Sequence, residues 1–228
     1  MIKPIVTVKG LVKTYKRGKI TTPAVRGVSF EIHEGDFIAL TGPTGSGKST
    51  ILHQIGLLDK PTEGTIIIEG KDTGLLKEKQ KSNFRLNRIG FVFQRYELLP
   101  ELTALENVFL PLVVSQGFSQ KCKDAARKIL TELGLGERVD HYPYEMSGGE
   151  QQRVSIARAI IKNPKLILAD EPTANLDSVT GKKIIEIMRT LNKKYKITFL
   201  VVTHETEFEK YFDKVIRLKD GQIVKIEK

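Results

Sequence analysis

A glycine-rich run around residue 45 has the residue types and the spacing needed to hold a phosphate chain. The run consists of Gly42, Pro43, Thr44, Gly45, Ser46, Gly47, Lys48, Ser49 and Thr50. It matches the pattern G-x-x-x-x-G-K-[ST] at every fixed position. The glycines let the backbone turn tightly and point successive N–H groups at an anion. Lys48 can then reach the β- and γ-phosphates of a nucleotide, and the Ser49 hydroxyl can ligate Mg²⁺.

The segments on either side of this loop have the character that such a loop requires. Residues 37–41, FIALT, form an apolar run typical of a buried strand, and residues 51–55, ILHQI, can continue as a helix. A helix that begins at the loop adds the positive end of its dipole to the anion site. A glycine-rich turn with a chance Lys-Ser pair explains neither flank, so the sequence predicts a nucleotide site here.

A second buried strand is predicted at residues 165–169, KLILA, and it is followed by two carboxylates. We assign Asp170 to the Mg²⁺ shell. The adjacent Glu171 can orient and polarise an attacking water as a general base. Strands that end in solvated acids are common, so this prediction depends on the phosphate loop found earlier in the chain.

A third run, MSGGEQQR at residues 146–153, offers another anion nest. Ser147, Gly148 and Gly149 present a hydroxyl and unobstructed N–H groups at the start of a predicted helix. The alternative is a simple helix N-cap at Ser147 followed by a turn.

Together the three runs resemble the ATP-binding cassette (ABC) ATPases, whose signature motif usually reads LSGGQ. Met146 and Glu150 are the two departures from that motif. The resemblance covers essentially the whole chain. It implies an α/β fold of the P-loop NTPase, RecA-like type, with a mixed or parallel sheet core, an antiparallel β subdomain and an inserted α-helical subdomain.

Four further positions match this family. Gln94 matches the Q-loop glutamine, which in the family touches Mg²⁺ or water, and His204 matches the switch histidine that contacts the γ-phosphate. Residues 174–177, ANLD, resemble the D-loop, which crosses to the partner subunit. Tyr15 resembles the aromatic residue that stacks on adenine. Alone, such a histidine or tyrosine is more often a structural residue.

The resemblance also implies what the protein does. It implies an ATPase with the cofactors ATP and Mg²⁺, and a homodimer that closes around two ATP molecules. Ser147 and its neighbours would contact the ATP of the opposite subunit. A separate integral membrane permease would dock on residues 95–103, with the cassette on the cytoplasmic face of the cell membrane. No nucleic-acid partner is expected.

Composition narrows the class of protein. The 228 residues are 40% hydrophobic, and no apolar stretch approaches the about 20 residues that span a bilayer. We therefore expect a soluble chain that works with a separate membrane partner. The single cysteine, Cys122, excludes an internal disulfide and favours the cytoplasm. The net charge of +10 fits a lysine-rich solvated surface best, then an anionic membrane surface, and nucleic acid least, because no basic patch interleaved with aromatics is evident.

The pattern along the chain predicts one ABC ATPase domain. Residues 1–95 and 154–228 form the nucleotide-binding core with its β subdomain, and residues 96–153 form a helical subdomain with the signature motif. Strands are predicted at residues 5–8, 28–32 and 65–69, helices at 125–133 and 184–191, a capping box at 103–106 and a closing hairpin at 215–226.

Shorter runs at residues 59–64, 102–107 and 169–178 resemble the ABC subfamily that serves lipoprotein release, macrolide export and peptide-antibiotic resistance. The alternative is a soluble ABC ATPase acting in DNA repair, chromosome or translation processes. Members of those groups have a long coiled coil or two cassettes in one chain, and this sequence shows neither. A cassette that binds ATP without hydrolysing it is disfavoured, because Glu171 and His204 are both present.

Overall fold

The computed structural model describes residues 4–228, apart from the side chain of Arg17. Residues 1–3 of the predicted nucleotide-binding core, 1–95, lie outside this range. The strands are β1 (Pro4–Arg17), β2 (Ile20–His33), β3 (Phe37–Thr41), β4 (Glu63–Ile68), β5 (Lys71–Asp72), β6 (Ile89–Val92), β7 (Leu166–Asp170), β8 (Thr198–Val202), β9 (Lys214–Lys219) and β10 (Gln222–Glu227). The helices are α1 (Lys48–Ile55), α2 (Glu78–Arg88), α3 (Ala104–Gln116), α4 (Gln120–Glu132), α5 (Gly148–Ile160) and α6 (Ser178–Tyr195).

The described chain divides into two compact units. The first holds the residues up to Arg85 together with Thr198–Lys228, and the second holds Leu86–Ile197. The predicted helical subdomain, residues 96–153, lies wholly within the second unit. Among residues 4–228, no helix is both long enough and apolar enough to cross a membrane.

The first unit contains the antiparallel β region that the sequence predicts. Its strands lie in the order β2-β1-β4-β5, and every neighbouring pair is antiparallel. The long β1–β2 pair contains several register shifts, one of them between Val8 and Leu11. Within that shift the Gly10 N–H donates to Ser29 Oγ at 2.8 Å, so the irregular backbone still has a partner.

The same unit contains four strands in the order β10-β9-β3-β8. β3 runs parallel to both β8 and β9, and all five residues of β3 and of β8 are buried, as expected for parallel strands covered on both faces. Phe37 stacks on Phe212 with ring centroids 4.7 Å apart. The predicted closing hairpin is present as β9–β10, with Asp220 and Gly221 both at positive φ in its turn.

The second unit pairs β6 with β7 in parallel and packs α5 against β6, and α3, α4 and α6 pack in turn against α5. The predicted capping box is present at the start of α3, where Thr103 Oγ1 accepts from the Glu106 N–H at 3.2 Å and Glu106 accepts from the Thr103 N–H at 2.9 Å. The helical stripe predicted at residues 125–133 falls on α4, which begins earlier, at Gln120, and ends at Glu132.

Several elements differ from the sequence predictions, and β1 and β2 are each 14 residues long where the sequence predicts strands at residues 5–8 and 28–32. The strand predicted at residues 65–69 ends at Ile68, because Glu69 adopts a left-handed backbone with φ 49°. The helix α2 has no counterpart among the predictions. Its sequence, EKQKSNFRLNR, buries only Lys81 and Phe84, so its hydrophobic periodicity is too weak to indicate a helix.

Candidate nucleotide site

Two glycines of the phosphate loop are required by close approach of the backbone as well as by their conformation. Gly42 has φ 147°, and a Cβ added there would lie 2.2 Å from the Leu218 carbonyl oxygen. Gly47 caps α1 with φ 99°, and its Cβ would lie 2.4 Å from the Ala24 carbonyl oxygen. A side chain at either position would push the loop off the strands behind it.

The polar groups of the loop fit an anion. Lys48 is 5% exposed, and its ammonium donates to the carbonyl oxygens of Gly42 at 2.8 Å and Pro43 at 2.9 Å. The buried Ser46 Oγ has no hydrogen-bond partner. The loop therefore offers a buried ammonium and a buried hydroxyl, and both can donate hydrogen bonds to a bound phosphate. Pro43, Thr44 and Gly45 are exposed at the tip of the loop, and Ser49 and Thr50 are half-buried on α1.

The loop is braced by a part of the chain that sequence reasoning did not connect with it. The Gly221 N–H in the β9–β10 turn donates to the Ser46 carbonyl at 3.2 Å. The Gly221 carbonyl accepts from the Arg26 N–H on β2 at 2.8 Å. Only the turn residues Asp220 and Gly221 mark this segment in the sequence, and they signal a hairpin, with no indication of what it contacts.

Strand register places His204 at the same sheet edge as the phosphate loop. In the parallel pair β3–β8, Leu40 is opposite Val202. Gly42 and His204 each follow two residues later, and the Thr203 N–H donates to the Leu40 carbonyl at 3.2 Å. His204 is exposed there. The histidine predicted to contact the γ-phosphate therefore lies beyond the strand next to the loop.

Tyr15 is near the loop by a similar argument. It pairs with Thr22 on β2, and Ala24, whose carbonyl faces Gly47, is two residues further along that strand. Two residues of a strand span about 7 Å. Tyr15 is 44% exposed, so part of its ring is accessible to a ligand.

Within the second unit, register brings Gln94 and the two predicted carboxylates to one edge. In the parallel pair β6–β7, Val92 is opposite Ala169. Asp170 ends β7, while Gln94 and Glu171 lie two residues past the paired positions. Glu171 has a left-handed backbone with φ 45°, a strained state for a residue with a side chain and one that is enriched at functional sites.

Two amide side chains connect this edge to the rest of its unit, and sequence reasoning found neither of these ties. Asn175 Nδ2 donates to the Gln94 carbonyl at 3.0 Å, so the predicted Q-loop and D-loop are joined. The fully buried Gln152 donates through Nε2 to the Pro172 carbonyl at 2.6 Å. Gln152 belongs to the first turns of α5, so the signature helix holds the segment that follows Glu171.

The signature run forms the expected helix start. Ser147 is the N-cap of α5, and its Oγ accepts from the Glu150 N–H at 3.3 Å and donates to Glu150 Oε2 at 2.8 Å. A Cβ on Gly148 would lie 2.7 Å from the Tyr96 hydroxyl, and one on Gly149 would lie 2.6 Å from a methyl of Thr180. These close approaches favour glycine at both positions, whether or not the run also binds an anion.

The segment after Gln94, predicted as the docking surface, is held by the half-buried Arg158 and the fully buried Asn107. Arg158 donates to the Tyr96 carbonyl at 2.9 Å and the Glu97 carbonyl at 2.6 Å, and its burial lowers its pKa. Both of these loop residues have positive φ. Asn107 is 0% exposed and exchanges hydrogen bonds with Leu99, donating to its carbonyl at 3.0 Å and accepting from its N–H at 2.9 Å.

No group of three or more His, Cys, Asp or Glu side chains within residues 4–228 is arranged to hold a metal ion. The predicted magnesium ligands are of a different kind, since Ser49 offers a hydroxyl, Gln94 an amide and Asp170 a carboxylate. Such partial protein shells suit Mg²⁺, which keeps waters and phosphate oxygens as its other ligands.

Comparison with known proteins identifies relatives over the whole chain. Residues 25–174 match the family model described as "ABC transporter". The lipoprotein-releasing system ATP-binding protein LolD 2 of Caulobacter vibrioides is 42% identical over 98% of this chain and 98% of its own length. The macrolide export ATP-binding/permease protein MacB of Bdellovibrio bacteriovorus is 46% identical over 96% of this chain, which spans only 33% of that protein.

A solved structure shares the fold. The dimeric structure of a post-hydrolysis state of the ATP-binding cassette MJ0796, bound to ADP and Pi, matches with a TM-score of 0.90 and 43% identity. The match covers 98% of each chain.

Proposed function

This chain belongs to the ABC transporter family as an ATP-binding and ATP-hydrolysing cassette, and we propose that it closes as a homodimer on two ATP–Mg²⁺ complexes to drive a separate membrane permease. The observation that supports this most strongly is the phosphate loop. Gly42 and Gly47 lie against backbone oxygens, Lys48 is buried, and the Ser46 hydroxyl is buried without a partner.

The site residues take roles that follow from their chemistry. The loop from Gly42 to Thr50 holds the phosphates through its N–H groups and Lys48. Ser49, Gln94 and Asp170 would hold Mg²⁺, which neutralises charge on the β- and γ-phosphate oxygens when bound.

Hydrolysis would depend on two further side chains. Glu171 would orient and polarise the attacking water, and its strained backbone supports a functional position. His204 would contact the γ-phosphate, which the register of β3 and β8 supports.

The signature nest would serve the opposite subunit. Ser147, Gly148 and the N-terminus of α5 offer a hydroxyl and a positive helix end to an anion. Two ATP molecules would then join two copies, and hydrolysis would remove the γ-phosphates that bridge them. The solved dimer of the relative bound to ADP and Pi supports the dimeric part of this proposal.

The partner would be an integral membrane permease that docks on residues 95–103, so that the cassette works at the cytoplasmic face of the membrane. The relatives named for lipoprotein release and macrolide export support the same subfamily for this chain. The braced loop at Tyr96 and Glu97 is suited to transmit force, because Arg158 and Asn107 tie it to the helices of its unit.

The test is the Glu171→Gln variant. Removing a positioned base should lower ATP turnover by about 10²–10⁴ while ATP affinity stays within a few-fold of wild type. The variant should also accumulate as an ATP-bound dimer in light scattering, because the bridging γ-phosphate is never removed.

Glu137→Gln is the matched control, since it changes an exposed carboxylate of the same unit. Its turnover should match wild type. Turnover of Glu171→Gln within a few-fold of wild type, or a monomer at saturating ATP, would contradict the proposal.

A further inference from the structure

We propose that Asp59 is a positioning residue that fixes the ring of Tyr15 as a platform for the adenine base. Through that ring it sets how strongly the site prefers ATP to a bare phosphate chain. The inference rests on the proposed function, in which Tyr15 stacks on adenine, and it gives a role to a residue 44 positions further along the chain.

The Asp59 carboxylate gathers three donors. Tyr15 donates its hydroxyl to Oδ2 at 3.0 Å, and Lys13 Nζ donates to Oδ1 at 2.6 Å. The backbone N–H of Lys60 donates to Oδ1 at 2.7 Å. Partial burial opposes ionisation of Asp59, but these donors outweigh it and lower its pKa. The carboxylate is therefore charged at neutral pH and holds the phenol firmly.

Lys13 fixes the ring from a second direction. Its ammonium lies 4.9 Å from the centroid of the Tyr15 ring, and its side chain is only 12% exposed. Lys13 also donates to the Lys60 carbonyl at 2.7 Å, so it is held independently of the ring. A cation on one face of an aromatic ring is attracted by the π electrons. The Lys13 ammonium therefore occupies one face of the Tyr15 ring, and a base would stack on the opposite face of this half-exposed ring.

This arrangement orders the platform before nucleotide arrives. A tyrosine on a strand keeps freedom about its side-chain torsions, and ordering such a side chain on binding costs affinity. The Asp59 and Lys13 contacts remove that freedom in advance. The platform also lies near the phosphate loop, because Tyr15 pairs with Thr22, about 7 Å along β2 from the residue that faces Gly47.

A purely structural role for Asp59 makes a different prediction. The turn at residues 59–62 is also tied to β1 by Thr62, whose N–H donates to the Val12 carbonyl at 2.8 Å and whose Oγ1 accepts from the Thr14 N–H at 3.0 Å. Thr62→Val removes the side-chain tie and leaves Tyr15 untouched. It is therefore the matched control for loosening of the turn.

The experiment measures the affinity of the full chain for Mg²⁺-ATP and for Mg²⁺-tripolyphosphate, which has no base, by titration calorimetry. Asp59→Ala should weaken ATP binding roughly five- to tenfold, the scale of one base-stacking contact, and leave tripolyphosphate binding unchanged. Tyr15→Phe keeps the ring but loses the hydrogen bond to Asp59, so it should also weaken ATP binding. The double variant should bind ATP no more weakly than Asp59→Ala does, since both changes break the same hydrogen bond between Tyr15 and Asp59.

In turnover, Asp59→Ala should raise KM for ATP and leave kcat unchanged. The inference is overturned if Asp59→Ala binds ATP like wild type, if it weakens both ligands equally, or if Thr62→Val reproduces its effect. It is also overturned if Tyr15→Ala keeps the wild-type preference for ATP. Wild-type protein that binds neither ligand would instead overturn the proposed function, and the inference with it.

Discussion

At the scale of single residues, Glu150 is one of the two departures from the usual LSGGQ signature, and it is the one that adds a charge. Its carboxylate accepts from the Ser147 N–H at 2.9 Å and from the Ser147 hydroxyl at 2.8 Å, and it lies 3.2 Å from Arg138. The backbone hydrogen bond from Ser147 lowers the pKa of Glu150, against partial burial. A negatively charged carboxylate therefore lies 2.8 Å from the Ser147 hydroxyl, which is proposed to receive the γ-phosphate of the partner's ATP.

Glu150→Gln should therefore strengthen ATP-dependent dimerisation. The amide oxygen can still accept from the Ser147 N–H, so the cap persists, while repulsion between the carboxylate and the phosphate disappears. We expect the dimer dissociation constant of the Glu171→Gln background to fall about fivefold at low salt, and the gain to shrink as salt screens the charges. Sedimentation at saturating ATP measures it.

Glu106→Gln is the matched control, because Thr103 and Glu106 form the same capping box at the start of α3. It should leave dimerisation unchanged, and an equal gain there would refute the local explanation.

The lowered pKa of Glu150 also sets the direction in which the stability of the folded state changes with pH. The charge of Glu150 stabilises the folded state above the ordinary glutamate pKa of about 4.3 and stops doing so as pH falls through its lower folded value. The difference in the free energy of unfolding between wild type and Glu150→Gln should therefore become smaller as the pH falls into the acid range.

At the scale of elements, the segment that follows β6 is held to its unit by side chains and not by regular structure. Asn107 on α3 donates to the carbonyls of Leu99, Leu102 and Thr103 and accepts from the Leu99 N–H. All four of these side-chain hydrogen bonds go to residues 99–103, and Asn107 is 0% exposed. One buried amide thus ties the proposed docking segment to the helix that begins behind it.

Asn107→Ala should lower the free energy of unfolding by about 1–3 kcal/mol, because backbone carbonyls and an N–H group of the loop lose the side chain they bond to. Urea denaturation with an unchanged slope measures this change. Ser82→Ala, at an exposed position of α2, is the control and should lie within about 0.5 kcal/mol of wild type. A loss below that limit for Asn107→Ala would mean that the loop does not depend on this amide.

What the sequence predicts, and what it leaves out, follows from the range of the signals. The phosphate loop, the buried strands and the capping boxes are local patterns, so β3, α1 and the start of α3 are confirmed. The Asn107, Arg158 and Gln152 ties connect residues through carbonyl groups, which every residue has, so no residue type marks the acceptor. α2 was missed because a mostly charged helix shows little periodicity.

At the scale of the whole molecule, the two halves of the proposed machinery reside in different units. The phosphate loop and His204 belong to the first unit, and the signature nest belongs to the second. The central claim is that the nest completes the site of a second copy. Each variant that damages one half should therefore be complemented by a variant that damages the other.

The most direct measurement mixes Lys48→Ala with Ser147→Arg, both in the Glu171→Gln background, and follows dimer formation by sedimentation with labelled ATP. In a head-to-tail dimer, the loop of the Ser147→Arg chain meets the intact nest of the Lys48→Ala chain and forms one whole site. We predict that each variant alone stays monomeric, that Ser147→Arg still binds ATP, and that the mixture forms dimers with one ATP, most at equal amounts. A mixture that stays monomeric, with Ser147→Arg as poor in ATP binding as Lys48→Ala, would place the nest in its own subunit's site and contradict the account.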